Sequence, residues 1–257
     1  MDILRKELNA IYASQKLDDE QLDSSVVQRA IERVKGYTAV NNGCCVITDC
    51  SADRCYIIGG GFCRLMGLTD AEGMCETVNS SDEDAIYSRL HPEDLVDKRM
   101  LEYEYFKQMV NGLPAQMTQC KAACTIRIRD RQGNYIYVDN TTQVMETSPQ
   151  GKMWLILCCY DLSSMPRDGY GIAARIINNT TGETFSLAAD ERRTHILSPR
   201  EKEILLLIRE GKLSKQIADV LGISIHTVNR HRQNIIEKLS VGSTVEAIMA
   251  ASVMKLI

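Results

Sequence analysis

Apolar and polar positions alternate most regularly in the C-terminal quarter of the chain. In LSPREKEILLLIREGKLSKQIADVLGISIHTVNRHRQNIIEKLSVGSTVEAIMAA, Leu197 to Ala251, apolar residues return every three or four positions, the period of helices with one buried face. The breaks fall at turn and cap chemistry. Ser198-Pro199-Arg200-Glu201 pairs a capping serine with proline at the first helical position and glutamate three residues after the cap, so a helix starts there and ends near Gly211. Ser214 is placed to cap a second helix that turns Ile217, Ala218 and Leu221 inward. Gly222-Ile223-Ser224 bends the chain, and Ser224 caps a third helix reaching about Leu239. A second capping box, Ser243 with Glu246, opens a last helix to Met254.

Upstream the period changes. Residues 1–40 read as one or two amphipathic helices, with Leu4, Leu8 and Ile11, then Val26, Val27, Ala30, Ile31 and Val34, at helical spacing around a polar LDDEQ break. They cover the following domain or contribute to dimerisation. From Gly43 the pattern is that of strands: CCVITD, a turn at CSAD, then CYII, ending at Gly59-Gly60-Gly61. Those glycines lack both the Gly-Lys-Ser/Thr ending of a phosphate loop and the GxGxxG spacing, so a strand-to-helix turn is expected. A helical region from about Glu83 to Leu90 leads to His91-Pro92-Glu93-Asp94 and a longer helix to about Val110. Three strands follow, Gln116 to Arg129, Tyr135 to Met145 and Met153 to Tyr160, joined by turns at Arg131–Asn134 and Ser148–Gly151. Residues 162–196 form a connection with loop chemistry at SSMPRDG and a small hairpin turning at Asn179–Gly182.

The third helix of the C-terminal segment can be read face by face at about 100° per residue. Val228, Ile235 and Leu239 point together at a core. Opposite lies a row of His226, Arg230 and Gln233, flanked by Asn229 and Asn234, with no apolar residue. Two short helices joined by a glycine turn, the second exposed on one side, form the helix-turn-helix arrangement. In that setting the polar row fits base edges, since Arg forks onto guanine and Asn or Gln bridges adenine. The candidate base-reading residues are His226, Asn229, Arg230 and Gln233. Arg232 lies nearer the core edge, its stem packing and its guanidinium directed at a phosphate. Lys212, Lys215 and Thr227, near helix starts, are the further phosphate candidates. His231 flanks the core side, where packing and a phosphate contact are both open.

Charge sharpens this division. The net charge of −4 splits into 18 basic against 25 acidic residues over 1–170 and 12 against 9 over 171–257. The weakly basic end suits a polyanion, although +3 alone resembles an ordinary solvated surface. No apolar run approaches the ~18 residues of a membrane span, and the charged N-terminus is unlike a secretion signal, so a cytoplasmic protein is expected. All ten cysteines precede residue 160, without a C-x-x-C pair and without zinc-type spacing to the four histidines, so no structural metal is expected. No nucleophile, base and oxyanion donor can be assembled, so an enzyme is not expected.

Two resemblances add to this. Two strands, short helices, a longer helix and three hairpin-connected strands follow the element order of a PAS-type sensory domain. GFCRLMG, HPED, IRIRDRQGNYIYVDN and LCCYDLS resemble that family over about residues 40–163. The resemblance implies that the first and last strands are sheet neighbours, placing Cys44 and Cys45 beside Cys158 and Cys159. These four are packing residues or candidate redox thiols, strand alternation sending one of each pair to the core. PAS-type domains often hold a small molecule; here no cofactor is identified and a ligand of unknown kind is the expectation. His91, in HPED, is read as a helix entry rather than a haem ligand.

SPREKEIL, SKQIADVLGIS, HTVNRHRQNIIEKL and the closing EAI resemble the LuxR/GerE-type DNA-binding domain over nearly its whole length. That resemblance implies four helices, major-groove binding to double-stranded DNA, a homodimer through the helix Ser243 to Met254, and RNA polymerase as a further partner. Asn229 stands where a basic residue is common, and Thr244-Val245 replaces another frequently basic neighbour. The expected fold class is α+β, with an N-terminal PAS-like antiparallel sheet carrying helices and a C-terminal all-α four-helix helix-turn-helix domain. The expected division is a helical segment 1–40, a PAS-like sensory domain 41–163, a linker 164–196 and a DNA-binding domain 197–257. The function expected is a dimeric, sequence-specific transcriptional regulator under a sensed signal. The alternatives are a sigma-factor-like subunit, which the acidic N-terminal part disfavours, and a thiol-based redox-sensing regulator. A phosphoreceiver needs strand-helix alternation that residues 40–163 lack, and a lactone-binding domain needs more pocket aromatics than one Trp provides.

Overall fold

The computed structural model describes residues 3–71, 73–81, 83–112, 114–164, 171–186, 197–239, 241–253 and 256–257. The chain divides into two compact units, residues 8–187 and residues 188–257 grouped with 1–7.

The larger unit is built on one antiparallel sheet. Its strands are β1 (Cys44–Asp49), β2 (Arg54–Gly59), β3 (Met74–Val78), β4 (Cys120–Arg129), β5 (Tyr135–Thr147), β6 (Met153–Leu162), β7 (Arg175–Asn178) and β8 (Thr184–Ser186). Their order is β3-β2-β1-β6-β5-β4-β7-β8. Strands β1 and β6 are neighbours, as the resemblance implied for the first and last strands, with Cys45 opposite Cys159 and Val46 opposite Cys158. Helices α1 (Ile3–Ser14), α2 (Ser24–Asn41), α3 (Gly61–Leu65), α4 (Asp84–Tyr87) and α5 (Pro92–Asn111) complete it.

The sheet buries both faces. Against one, α2 lays Val27, Ala30, Ile31 and Val34, meeting Cys45, Ile47, Ile58, Trp154 and Leu155. Against the other, Phe62, Ile86, Leu101, Tyr105, Phe106 and Met109 pack on Cys44, Val46, Ile57, Ile126 and Cys158, with Leu8 of α1. Alternation thus turns Cys44 and Cys158 to the main core and Cys45 and Cys159 to the α2 side.

Three sequence readings change in detail. Strand β3 was not expected; it lies at the sheet edge and its described side chains are largely exposed, so it has no buried face to imprint a period-two pattern. Strand β4 begins at Cys120 rather than Gln116, because Pro114–Gln116 form a 3-10 turn. The Asn179–Gly182 hairpin, read as part of a linker, extends the sheet, since β7 pairs with β4 and β8 with β7. The flanking residues 165–170 and 187–196 of that linker lie outside the described residues. The glycine run is a close-packing device, as a Cβ on Gly59 would collide with Cys63 Sγ and one on Gly60 would lie 2.9 Å from Asn42 Cα. His91 caps α5, its Nδ1 accepting from Glu93 N–H at 3.3 Å.

The smaller unit holds α6 (Pro199–Arg209), α7 (Ser214–Leu221), α8 (Ile225–Leu239) and α9 (Thr244–Val253). They converge on Leu197, Ile204, Leu205, Ile217, Val228, Ile235, Leu239, Ala247 and Ala251. The fold is α+β, an antiparallel sheet with helices followed by a four-helix unit. Among the described residues no helix is long and apolar enough to cross a membrane.

Candidate nucleic-acid interface

The interface is assembled by caps. Ser198 Oγ accepts from Glu201 N–H at 3.3 Å while Glu201 Oε2 accepts from Ser198 N–H at 2.8 Å, the reciprocal capping box expected at the start of α6. Lys238 Nζ on α8 lies 2.7 Å from the same Oε2. Burial raises the Glu201 pKa, but the Lys238 ammonium and the Ser198 N–H outweigh it and hold the carboxyl below its usual range. Arg200 joins α6 to the end of α7, its Nη2 donating to Leu221 O at 2.9 Å. This tie had no sequence signal beyond a lone arginine.

The turn between α7 and α8 rests on Gly222, whose φ of 63° is left-handed. Ile223 N–H returns to Ala218 O at 3.1 Å, closing the end of α7. Ser224 Oγ then accepts from Thr227 N–H at 3.0 Å and starts α8 as expected. The start of α7 differs from its expectation. Ser214 is the first helical residue and not the cap; the cap is Leu213, whose N–H donates to Gln216 Oε1 at 2.9 Å. The Ser214 hydroxyl is engaged elsewhere, accepting from Arg232 Nη1 at 3.1 Å.

On α8, Val228, Ile235 and Leu239 are buried and His226, Asn229, Arg230 and Gln233 are all exposed. The four candidate base readers therefore share the solvent side of the second helix of the pair. Gln233 Nε2 donates to Glu237 Oε1 at 3.0 Å, which sets its amide along the helix. The phosphate candidates separate. Lys215 is exposed, Lys212 sits half-buried with Nζ 3.5 Å from Glu210, and the Thr227 hydroxyl bonds the Ser224 hydroxyl at 2.8 Å. Arg232 spans three helices, because its Nη2 also donates to Thr244 Oγ1 at 3.2 Å. His231 is half-buried, its Nδ1 enclosed without a hydrogen-bond partner among the described residues. In α9, Glu246 N–H donates to Ser243 Oγ at 3.2 Å, but the Glu246 carboxylate reaches Gly242 N–H instead of the cap's own N–H. Met254 lies outside the described residues.

The larger unit holds a buried polar cluster between α5 and the sheet. Lys98 Nζ bonds Glu102 and, at 3.3 Å, the Thr142 hydroxyl; Tyr87 donates to Glu102, and Tyr160 to Glu83. Burial raises the Glu83 pKa, and the neighbouring Glu102 adds to the rise. The space inside this cluster is about 10 Å³, room for one water. Among the described residues no group of three or more His, Cys, Asp or Glu side chains is placed to hold a metal ion.

Residues 195–251 match the family of bacterial regulatory proteins described as luxR family. The match is confined to this C-terminal segment. The chain is similar to the Escherichia coli response regulatory protein YgeK, 51% identical over 55 residues, covering 21% of this chain and 37% of that protein. It is similar to the tetrathionate response regulatory protein TtrR of Salmonella typhimurium, 37% identical over 70 residues, 25% of this chain and 34% of the relative. It is also similar to the transcriptional activator protein CarR of Pectobacterium carotovorum, 42% identical over 62 residues, 24% of this chain and 25% of the relative. The matches thus span 25% to 37% of these relatives' lengths. The solved Vibrio cholerae VqmA dimer, described as a LuxR-type receptor, covers 88% of each chain at 18% identity and a TM-score of 0.30, too low to carry a conclusion. The luxR-family segment contains the whole of α6, α7 and α8, and with them every candidate DNA contact.

Proposed function

We propose that the protein is a dimeric, sequence-specific transcriptional regulator, controlled by a signal received in the PAS-like unit. The observation that carries it is the exposed, wholly polar row on α8, held by the Gly222–Ser224 turn inside a luxR-family segment. His226, Asn229, Arg230 and Gln233 read base edges; Lys212, Lys215 and Thr227 meet phosphates, joined by whatever part of the Arg232 guanidinium its two hydroxyl partners leave exposed. Helix α9 pairs two copies, a role supported by Val245 and Met249, 68% and 65% exposed and one turn apart. Two paired units then bind an inverted or direct repeat and act with RNA polymerase in the cytoplasm. The signal is a small molecule or a change of chemical state in the larger unit.

The test is selection of a preferred duplex from a random pool, followed by mobility shift. Combined Arg230→Ala and Gln233→Ala should lower affinity for that duplex at least tenfold, since each base-reading pair is worth ~1–3 kcal/mol, while weak binding to unrelated DNA persists. An unchanged shift would overturn the assignment of the reading face. Affinity should also fall steeply as salt rises, because phosphate neutralisation releases counterions.

A further inference from the structure

We propose that Cys45 and Cys159 form an oxidation site that closes reversibly to a disulfide between strands β1 and β6. This goes beyond the regulatory reading and does not depend on it. The two residues face each other in the strand register, with sulfur atoms 3.4 Å apart and the Cys45 thiol donating to Cys159. Directly opposed residues of antiparallel strands have Cα atoms about 4.5 or 5.5 Å apart. Both values lie inside the ~4.4–6.8 Å window of a disulfide. The sulfurs need to approach by little more than ~1 Å to reach the ~2.05 Å bond length, with no strand changing partner.

The pair is also differentiated as attacking and resolving thiols must be. Cys159 is half-buried on the α2 side of the sheet and is the more accessible of the two, while Cys45 is enclosed. Accepting the Cys45 hydrogen bond draws the Cys159 thiol below its ordinary pKa, which favours the nucleophilic thiolate. Cys44 forms a comparable thiol pair with Cys63, but both of those residues are buried in the main core and neither has the partial exposure of Cys159. Cys44 and Cys158 lie on opposite sides of the strand pairing from one another's partners, Cys44 opposite Tyr160 and Cys158 opposite Val46. Both are enclosed in the main core, Cys158 with its sulfur 3.4 Å from the Thr142 hydroxyl. The hydrogen bond to Cys63 and then burial raise the Cys44 thiol, and burial with the neighbouring Glu83 raises that of Cys158.

With hydrogen peroxide as oxidant the chemistry balances. The Cys159 thiolate attacks one peroxide oxygen, the O–O bond breaks, and the leaving oxygen takes a proton as water, leaving sulfenic acid on Cys159. The Cys45 sulfur then attacks that sulfur, and hydroxide departs with the Cys45 proton as a second water. Two thiols have lost two electrons to one peroxide. A dithiol reductant reverses the bond by thiol-disulfide exchange.

The experiment treats the full reduced chain with stoichiometric hydrogen peroxide, counts thiols under denaturing conditions and maps linked tryptic fragments. Two of the ten thiols should disappear, and fragments 36–54 and 153–167 should become linked and separate again with dithiothreitol. Cys45→Ser and Cys159→Ser should each abolish the link; Cys44→Ser and Cys158→Ser should retain it. Cys159→Ala, at the half-buried position, keeps the test valid if a serine variant fails to fold, with Trp154 fluorescence checking native structure. Ten intact thiols after treatment, a link that survives removal of Cys159, or a Cys44–Cys63 link in its place would overturn the proposal.

Discussion

Arg232 offers the sharpest separation of a positioning role from a DNA-contacting one. Its guanidinium donates to the Ser214 and Thr244 hydroxyls at 3.1 and 3.2 Å, tying the starts of α7 and α9 to the middle of α8. Hydrogen bonds from a charged donor contribute ~1.5–3 kcal/mol each. Both distances are at the long end of the N–H···O range and the side chain is half-buried, so the low end applies. Arg232→Ala should cost about 2–3 kcal/mol, and Arg232→Lys, which keeps the charge but cannot fork to two hydroxyls, about 1 kcal/mol. For a unit of this size 1 kcal/mol moves the melting midpoint by ~4–8 °C. Far-UV circular dichroism of the full chain reads the helices of both units, so the helical transition that melts apart from the Trp154 signal reports α6 to α9. Trp154, the one tryptophan, sits in β6 and reads only the sheet unit. The helical midpoint of Arg232→Ala should fall by roughly 10–20 °C while the tryptophan transition stays. A helical midpoint within ~2 °C of the parent, against the ~4–8 °C per kcal/mol scale, would show that the hydroxyl ties contribute nothing and that Arg232 acts at DNA alone.

Three further outcomes follow from the geometry. Lys98→Met strands the Glu102 carboxylate in the interior and should cost ~3–5 kcal/mol in urea unfolding followed at Trp154; adding Glu102→Gln should restore most of it, and a loss below ~1 kcal/mol from Lys98→Met would contradict a tightly coupled buried pair. Burial raises the folded pKa of Glu83 above its unfolded value near 4.5. Its contribution to stability is therefore fully present below that unfolded value and is lost as pH rises through the folded value, so Glu83→Gln should flatten stability against pH on that side; equal slopes in parent and variant would refute the assignment. Gly222→Ala introduces no contact within 4 Å but places alanine at a φ of 63°, so a loss of ~1–2 kcal/mol should appear with no change in Trp154 emission.

Local chemistry made the C-terminal unit legible. Ser198 with Glu201, Gly222 and Ser224 are signals whose meaning is complete within four or five residues, and each acts in the fold as its type and spacing imply. Ser214 failed the same reasoning because a long-range partner, Arg232, captured its hydroxyl. In the larger unit the turns were visible but the interior was not. Helix α5 buries Asp94, Asp97, Lys98, Arg99 and Glu102 beside its apolar face, so its PEDLVDKRM start reads as a solvated helix. Pairing makes such burial possible, as where Arg127 forks onto Asp94 across 33 residues of chain, and no periodicity records it. Strand β3 was hidden for the opposite reason, having main-chain pairing without a buried face. The common exposure of the candidate base readers is what helical phase dictates, while their assignment to bases came from the helix-turn-helix setting and their side-chain chemistry.

The β1–β6 pairing also fixes a schedule. The strand that completes the edge of β1 lies 114 residues later in the chain. At synthesis rates of ~5–20 residues per second, about 6–23 s separate the emergence of Cys45 from that of Cys159. Through that interval the side of β1 that pairs with β6 has no partner strand, leaving an apolar edge with two adjacent thiols to be covered last.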